Sequence, residues 1–247
     1  MNIPELIYQL RDFLWDAPLM IILLGTGIYL SFRLKGLQIT KLWYAINIAF
    51  FKKGSEIEDT SKAKGDISHF QALMTALSST VGTGNIAGVA TAIAIGGPGA
   101  MFWLWVTGLL GIVTKYAESF LAVKYRKVGE NGEMSGGPMY YIEHGLNKKW
   151  LAIVFAAFTV IAVFGTGNMV QSNSVAEVLD ATFEIPPYIT GIVLMISVGA
   201  VILGGIKKIG AVTGWLVPFM IGFYFLATII ILVIYASEIP NALILIF

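Results

Sequence analysis

Six stretches almost free of charge, each on the order of the 20 apolar residues that an α-helix needs to cross a hydrocarbon core about 30 Å thick, run through this chain. They lie near residues 14 to 33, 69 to 96, 100 to 123, 150 to 175, 188 to 206 and 211 to 236. The arrangement predicts an all-α integral membrane protein with about six transmembrane helices. Runs such as LAIVFAAFTVIAVFG (151 to 165) do not alternate between polar and apolar residues, as the strands of a transmembrane β-barrel must. Composition agrees: 57% of the 247 residues are hydrophobic and 13% are charged, against about 25% charged in a soluble domain.

Charge excludes several classes and orients the rest. A net charge of +1, without a basic patch interleaved with aromatics, gives nucleic acid no footing. The absence of cysteine removes disulfides, thiolate metal sites and thiol catalysis. The first apolar run follows Glu5, Arg11, Asp12 and Asp16, and its basic residues Arg33 and Lys35 come after it. A signal peptide has the opposite order, so this reads as a retained span. Lys and Arg gather in alternate loops: Arg33, Lys35, Lys41, Lys52, Lys53, Lys62 and Lys64; then Lys124, Arg126, Lys127, Lys148 and Lys149; then Lys207 and Lys208. The positive-inside rule makes those loops cytoplasmic and puts the N-terminus outside a multi-pass cell-membrane protein. The segment LQITKLWYAINIAFF (37 to 51) is too short to span and reads as an interfacial helix on the cytoplasmic surface. SGGPMYYIEHGL (135 to 146) fits either a short re-entrant or an amphipathic element, and NALILIF (241 to 247) begins a further apolar segment.

The second apolar stretch contains the polar run SSTVGTGN, residues 78 to 85, close to its centre. Gly82, Gly84 and Gly88 each cost a helix about 1 kcal/mol relative to alanine. A backbone group freed in lipid must find another partner. If the helix opens here, the half ending near Thr80 offers carbonyls and the half starting near Gly84 offers amides, a pairing suited to a zwitterion and a cation. Asn85 adds a neutral oxygen. An alternative reading makes Gly84 and Gly88 a small-residue helix contact, with the serines bonded back to the preceding turn. A dinucleotide fingerprint fails, because Ala87 stands where its third glycine belongs.

SSTVGTGNIAG, together with GGPGAMFWLWVTGLLG (96 to 111), SGGPMYYIEHGL and GTGNMVQSNS (165 to 174), resembles the alanine or glycine:cation symporter family along the whole chain. Leu104 departs from the methionine usual in that family, a volume-conserving exchange. The resemblance implies a LeuT-type fold, in which two inverted five-helix repeats each open with a broken helix. On that footing residues 1–68 hold an extra transmembrane helix and the interfacial helix, 69–236 form the first repeat with one helix broken at mid-membrane, and 237–247 begin a second repeat that the chain lacks. The resemblance further implies sodium-coupled symport of a small neutral amino acid such as alanine or glycine, with Na⁺ as the coupling ion and no organic cofactor. The amides of Thr83 and Gly84 would take the substrate carboxylate, and Ser79 would approach its amine. Thr80 and Asn85 would hold one sodium ion, and the carbonyls of Ser78 and Val81 would supply half of a second site. Gln171 is a further candidate substrate contact.

Other groups are assigned structural roles. Lys115 and Glu118, three apart, pair on one helix face; Pro218 kinks its helix; Trp103, Trp105 and Trp215 pack or anchor. His69 and His144 have no metal-ligand company. A channel or non-transporting membrane subunit is the rival function, yet a pore needs a continuous polar lining and only one of the six stretches is strongly polar at its centre. No catalytic set of Ser, His and carboxylates converges at one depth, so an enzyme is not expected.

Overall fold

In a computed structural model the chain is described at residues 3–15, 17–48, 67–129 and 132–247. Asp16, Lys52, Lys53, Lys62, Lys64 and the end of the expected interfacial helix lie outside the described residues. The chain folds as a multi-helix bundle. Its helices are α1 (Ile3–Trp15), α2 (Ala17–Arg33), α3 (Leu37–Thr40), α4 (Leu42–Ile46), α5 (His69–Thr80), α6 (Ala87–Gly96), α7 (Ala100–Lys124), α8 (Pro138–Gly145), α9 (Lys149–Ala162), α10 (Val170–Phe183), α11 (Pro187–Ile202), α12 (Gly205–Ile234) and α13 (Ile239–Ile246).

Four helical stretches among the described residues are long and apolar enough to cross a membrane: Pro4–Arg33, Ala100–Lys124, Lys149–Phe183 and Gly205–Ile234. Two of the six expected spans are therefore shorter as helices. Residues 69 to 96 divide into α5 and α6, and α11 has 16 residues, about 24 Å at 1.5 Å per residue. Lys207 and Lys208, expected in a loop, lie in the first turn of α12, where Lys208 Nζ donates to the Ala200 carbonyl at 2.8 Å. The long amine thereby satisfies a carbonyl near the end of α11. The expected interfacial helix is two short helices divided at Lys41 rather than one.

Local chemistry explains the boundaries. Ser68 and Gln71 form a capping box that starts α5: Ser68 Oγ accepts from the Gln71 amide at 3.2 Å, and Gln71 Oε1 accepts from the Ser68 amide at 3.0 Å. Gly97, with φ +73°, turns the chain between α6 and α7 where a Cβ would be strained. Pro138 occupies the first turn of α8, where its missing N–H costs nothing. A two-residue antiparallel ladder, Lys127 with Ser135 and Val128 with Met134, ties the segment before α8; nothing in the hydrophobic pattern announced it.

Helix pairs close on small residues. Gly27 of α2 sits so near α7 that a Cβ would stand 2.8 Å from Leu110 Cβ. Ser31 Oγ donates to the Gly27 carbonyl at 2.7 Å, and Gln38 Nε2 donates to Ser31 Oγ at 2.9 Å, which seats α3 beneath the same pair. On the other flank α5 lies along α12. A Cβ at Gly210 would stand 3.1 Å from Ile67 Cγ2, one at Gly214 3.7 Å from Gln71 Cγ, and Thr75 and Thr213 share a hydroxyl–hydroxyl bond of 3.0 Å. Met74, Val113 and Val217 are buried within these packings. Most other large apolar side chains are exposed, among them Ile95, Leu203 and Phe219. The accessible surface is 19075 Å², whereas a compact chain of this mass has roughly 11,000 Å². A membrane is a surrounding that suits such an apolar surface.

Candidate functional site

Between α5 and α6 the chain leaves α-helical geometry. Val81 (φ −88°, ψ 109°) and Gly82 (φ −155°, ψ −163°) are extended, and Thr83–Asn85 form one 3₁₀ turn before α6 begins at Ala87. α5 ends at Thr80 and α6 starts at Ala87 on either side of this segment.

The amides after the opening bond elsewhere than to the preceding turn. Gly82 N–H donates to Asn85 Oδ1 at 3.0 Å, Thr83 N–H to Gln171 Oε1 at 3.3 Å, and Asn85 N–H to the Gly82 carbonyl at 3.1 Å. In an unbroken helix those three amides would have bonded to the carbonyls of Ser78, Ser79 and Val81. Those oxygens are thus released from the ladder. The hydroxyls behave as in the structural alternative: Ser78 Oγ donates to the Thr75 carbonyl at 2.7 Å, and Ser79 Oγ and Thr80 Oγ1 donate to the Ala76 carbonyl at 2.8 and 2.9 Å. The other half of that alternative is not seen among the described residues, where a Cβ at Gly84 or Gly88 would meet nothing within 4 Å.

Released carbonyls at Ser78 and Val81, the Thr80 oxygen and Asn85 Oδ1 are neutral oxygens, the ligands that unwound membrane helices present to Na⁺. Asn85 Oδ1 already accepts from Gly82 and retains a second lone pair for an ion. No three His, Asp or Glu side chains gather as a metal cluster among the described residues.

Gln171 joins the site from a distance of 88 residues. Its Oε1 accepts from Thr83 Oγ1 at 2.7 Å as well as from the Thr83 amide. The apolar stretch of residues 150 to 175 would put Gln171 near the outer end of its span. The helix instead continues to Phe183, and Gln171 stands 12 residues before that end, at the level of the break. It is carried there past a π-helical stretch, Val163–Met169, that no periodicity argument foresaw. One available signal was the tetrapeptide GTGN, which occurs at 82–85 and 165–168. The first copy is the break, and the second lies within the π stretch. Asn173 turns away, donating to Glu177 Oε1 at 2.9 Å on its own helix.

Three other features lie apart from the break. Lys115 Nζ and Glu118 Oε2 are 3.1 Å apart and exposed, the expected pair on one face of α7. On α8, outside the spanning helices, burial raises the Tyr141 phenol above its ordinary pKa, and the Glu118 carboxylate adds to the rise. A shallow groove between α6 and α7, lined by Ala92, Gly96, Ala100, Trp103 and Thr107, presents mainly apolar groups.

Residues 1–247 match the sodium:alanine symporter family over their whole length. The chain belongs to that family. It is 54% identical to the sodium/alanine symporter AgcS of Methanococcus maripaludis over 94% of this chain and 51% of that protein. It is 44% identical to a putative sodium/proton-dependent alanine carrier protein, YrbD, of Bacillus subtilis, over 98% of this chain and 48% of that protein. Identity to the probable sodium/glutamine symporter GlnT of B. subtilis is 36% over 96% of this chain and 48% of that protein. The chain spans about half the length of the curated relatives it matches. The family is one of transporters and not of enzymes.

Proposed function

We propose that this chain supplies the N-terminal half of a sodium-coupled symporter for a small neutral amino acid such as alanine or glycine. The carrying observation is the opened backbone at Val81 and Gly82, which takes carbonyls of α5 and amides of the following turn out of the helical ladder. The amides of Thr83 and Gly84 take the carboxylate, assisted by the positive end of α6. Ser79 lies beside the ammonium, and Gln171 lines the same space. One Na⁺ binds Thr80 and Asn85. The carbonyls of Ser78 and Val81 form half of a second site whose other ligands come from protein beyond this chain.

In this reading residues 69–236 are the first repeat of a LeuT-type fold and residues 237–247 start its inverted copy. The N-terminus is outside, so the break lies at mid-membrane between a cytoplasmic α5 and an external α6. Half-length coverage of the relatives and the large exposed apolar surface support the need for a second half.

The test is uptake of labelled alanine by proteoliposomes that contain the protein expressed from its complete reading frame. An inward Na⁺ gradient should drive accumulation above equilibrium. Uptake indifferent to that gradient would sink the coupling, and conduction that neither saturates nor responds to competing glycine would favour a channel.

A further inference from the structure

Gln171 does more at the break than line it. Its Oε1 accepts from Thr83 Oγ1 at 2.7 Å and from the Thr83 amide at 3.3 Å. The same carboxamide lies flat against the extended backbone at Gly82, where a Cβ would stand 3.4 Å from Oε1 and 3.5 Å from Nε2. An amide N–H has a single hydrogen. The donor assigned to the substrate carboxylate is thus already engaged by a neutral oxygen from α10.

We propose that Gln171 is an intramolecular competitor for the substrate carboxylate, holding its place on Thr83 in the empty site and leaving when the amino acid binds. This rests on the reading of Thr83 and Gly84 as the carboxylate site. An ionised acceptor makes hydrogen bonds roughly twice as strong as a neutral one, so a carboxylate displaces the carboxamide. Until it does, the freed amide of the break is satisfied without water or ligand. The exchange also has a mechanical consequence: the hydrogen bonds between Thr83 and α10 are made only while the substrate is absent. Gln171 thereby acts as a positioning residue that reports occupancy of the break to α10. The π stretch immediately before α10 contributes to this register, since each residue added to a helix turns the remainder of that helix by about 100°.

The experiment is equilibrium binding of labelled alanine to the reconstituted full-length protein, in saturating Na⁺, for the parent, Gln171→Ala, Gln171→Glu and Gly84→Val. Thermal midpoints establish that each variant is folded. Gln171→Ala should bind alanine about three- to tenfold more tightly, the release of one hydrogen bond of ordinary net strength. Gln171→Glu, nearly isosteric, puts an ionised carboxylate on Thr83, and binding should be lost at neutral pH. A Gln171→Ala protein that binds alanine no more tightly than the parent overturns the competitor role, as does a Gln171→Glu protein with parental affinity at neutral pH. Gly84→Val separates the two levels of failure. If it abolishes binding while Gln171→Ala gives no gain, the carboxylate site stands and only the competitor falls. If it leaves binding intact, the site reading falls and takes the competitor with it.

Discussion

Glycines four residues apart occur at Gly84 and Gly88 and again at Gly210 and Gly214, and the two pairs meet opposite fates. Gly210 and Gly214 lie against Ile67 and Gln71 of α5 and its leading turn, with the Thr75–Thr213 bond alongside, so α12 holds the first half of the divided segment. Gly84 and Gly88 face open space. The same spacing thus fastens one helix pair and leaves the other backbone bare, as a close approach by ligand requires. In the first pair the missing side chains serve packing between helices. In the second they leave the amides accessible, and the flanking half-helix α6 is held within this chain chiefly by its turn into α7.

Substitutions test that contrast. The largest expected difference is between Gly84→Val and Gly210→Val. Gly84→Val should reduce alanine uptake by at least about 100-fold, the scale of misplacing a reactant by an ångström, while unfolding free energy moves by no more than about 0.5 kcal/mol. Gly210→Val should do the reverse. Overpacking against Ile67 costs about 1–3 kcal/mol, visible as a lower thermal midpoint in detergent, and substrate affinity in the surviving folded fraction stays near the parental value. Equal destabilisation by both would mean that Gly84 is also a helix contact. Next in size, Gly88→Ala should raise stability by up to about 1 kcal/mol through helix propensity alone; a loss would reveal a neighbour that fills the space beside α6 in the complete protein. Smallest is Thr213→Val, which removes the hydroxyl bond to Thr75 and should cost about 0.6 kcal/mol. Unfolding midpoints measured with and without this change test whether α5 is fastened by that bond or by glycine packing.

Legibility tracked the range of the forces involved. Helices α7, α9 and α12 could be read from the chain because lipid obliges a long apolar segment to satisfy its own backbone. The extent of α10 to Phe183 could not, its apolar stretch being read to end at residue 175. The opening near Gly82 could be read too, since glycines and hydroxyls inside such a segment are a local defect. The short α11, the division at Lys41 and the place of Lys207 and Lys208 inside α12 were read less well. These boundaries depend on caps and side-chain bonds, such as that of Lys208 to Ala200, that hydrophobic pattern does not encode.

The chain's own pattern establishes a helical membrane protein with a polar, glycine-rich run at residues 78 to 85 inside its second apolar stretch. Composition and local spacing suffice for that, because each acts through neighbours along the chain. Tertiary structure alone decided which glycine pair packs, that a π stretch lies before α10, and that Gln171 reaches Thr83 across 88 residues. Those outcomes depend on where one helix face meets another, and a rotation of about 100° for each residue of register is enough to change the partner.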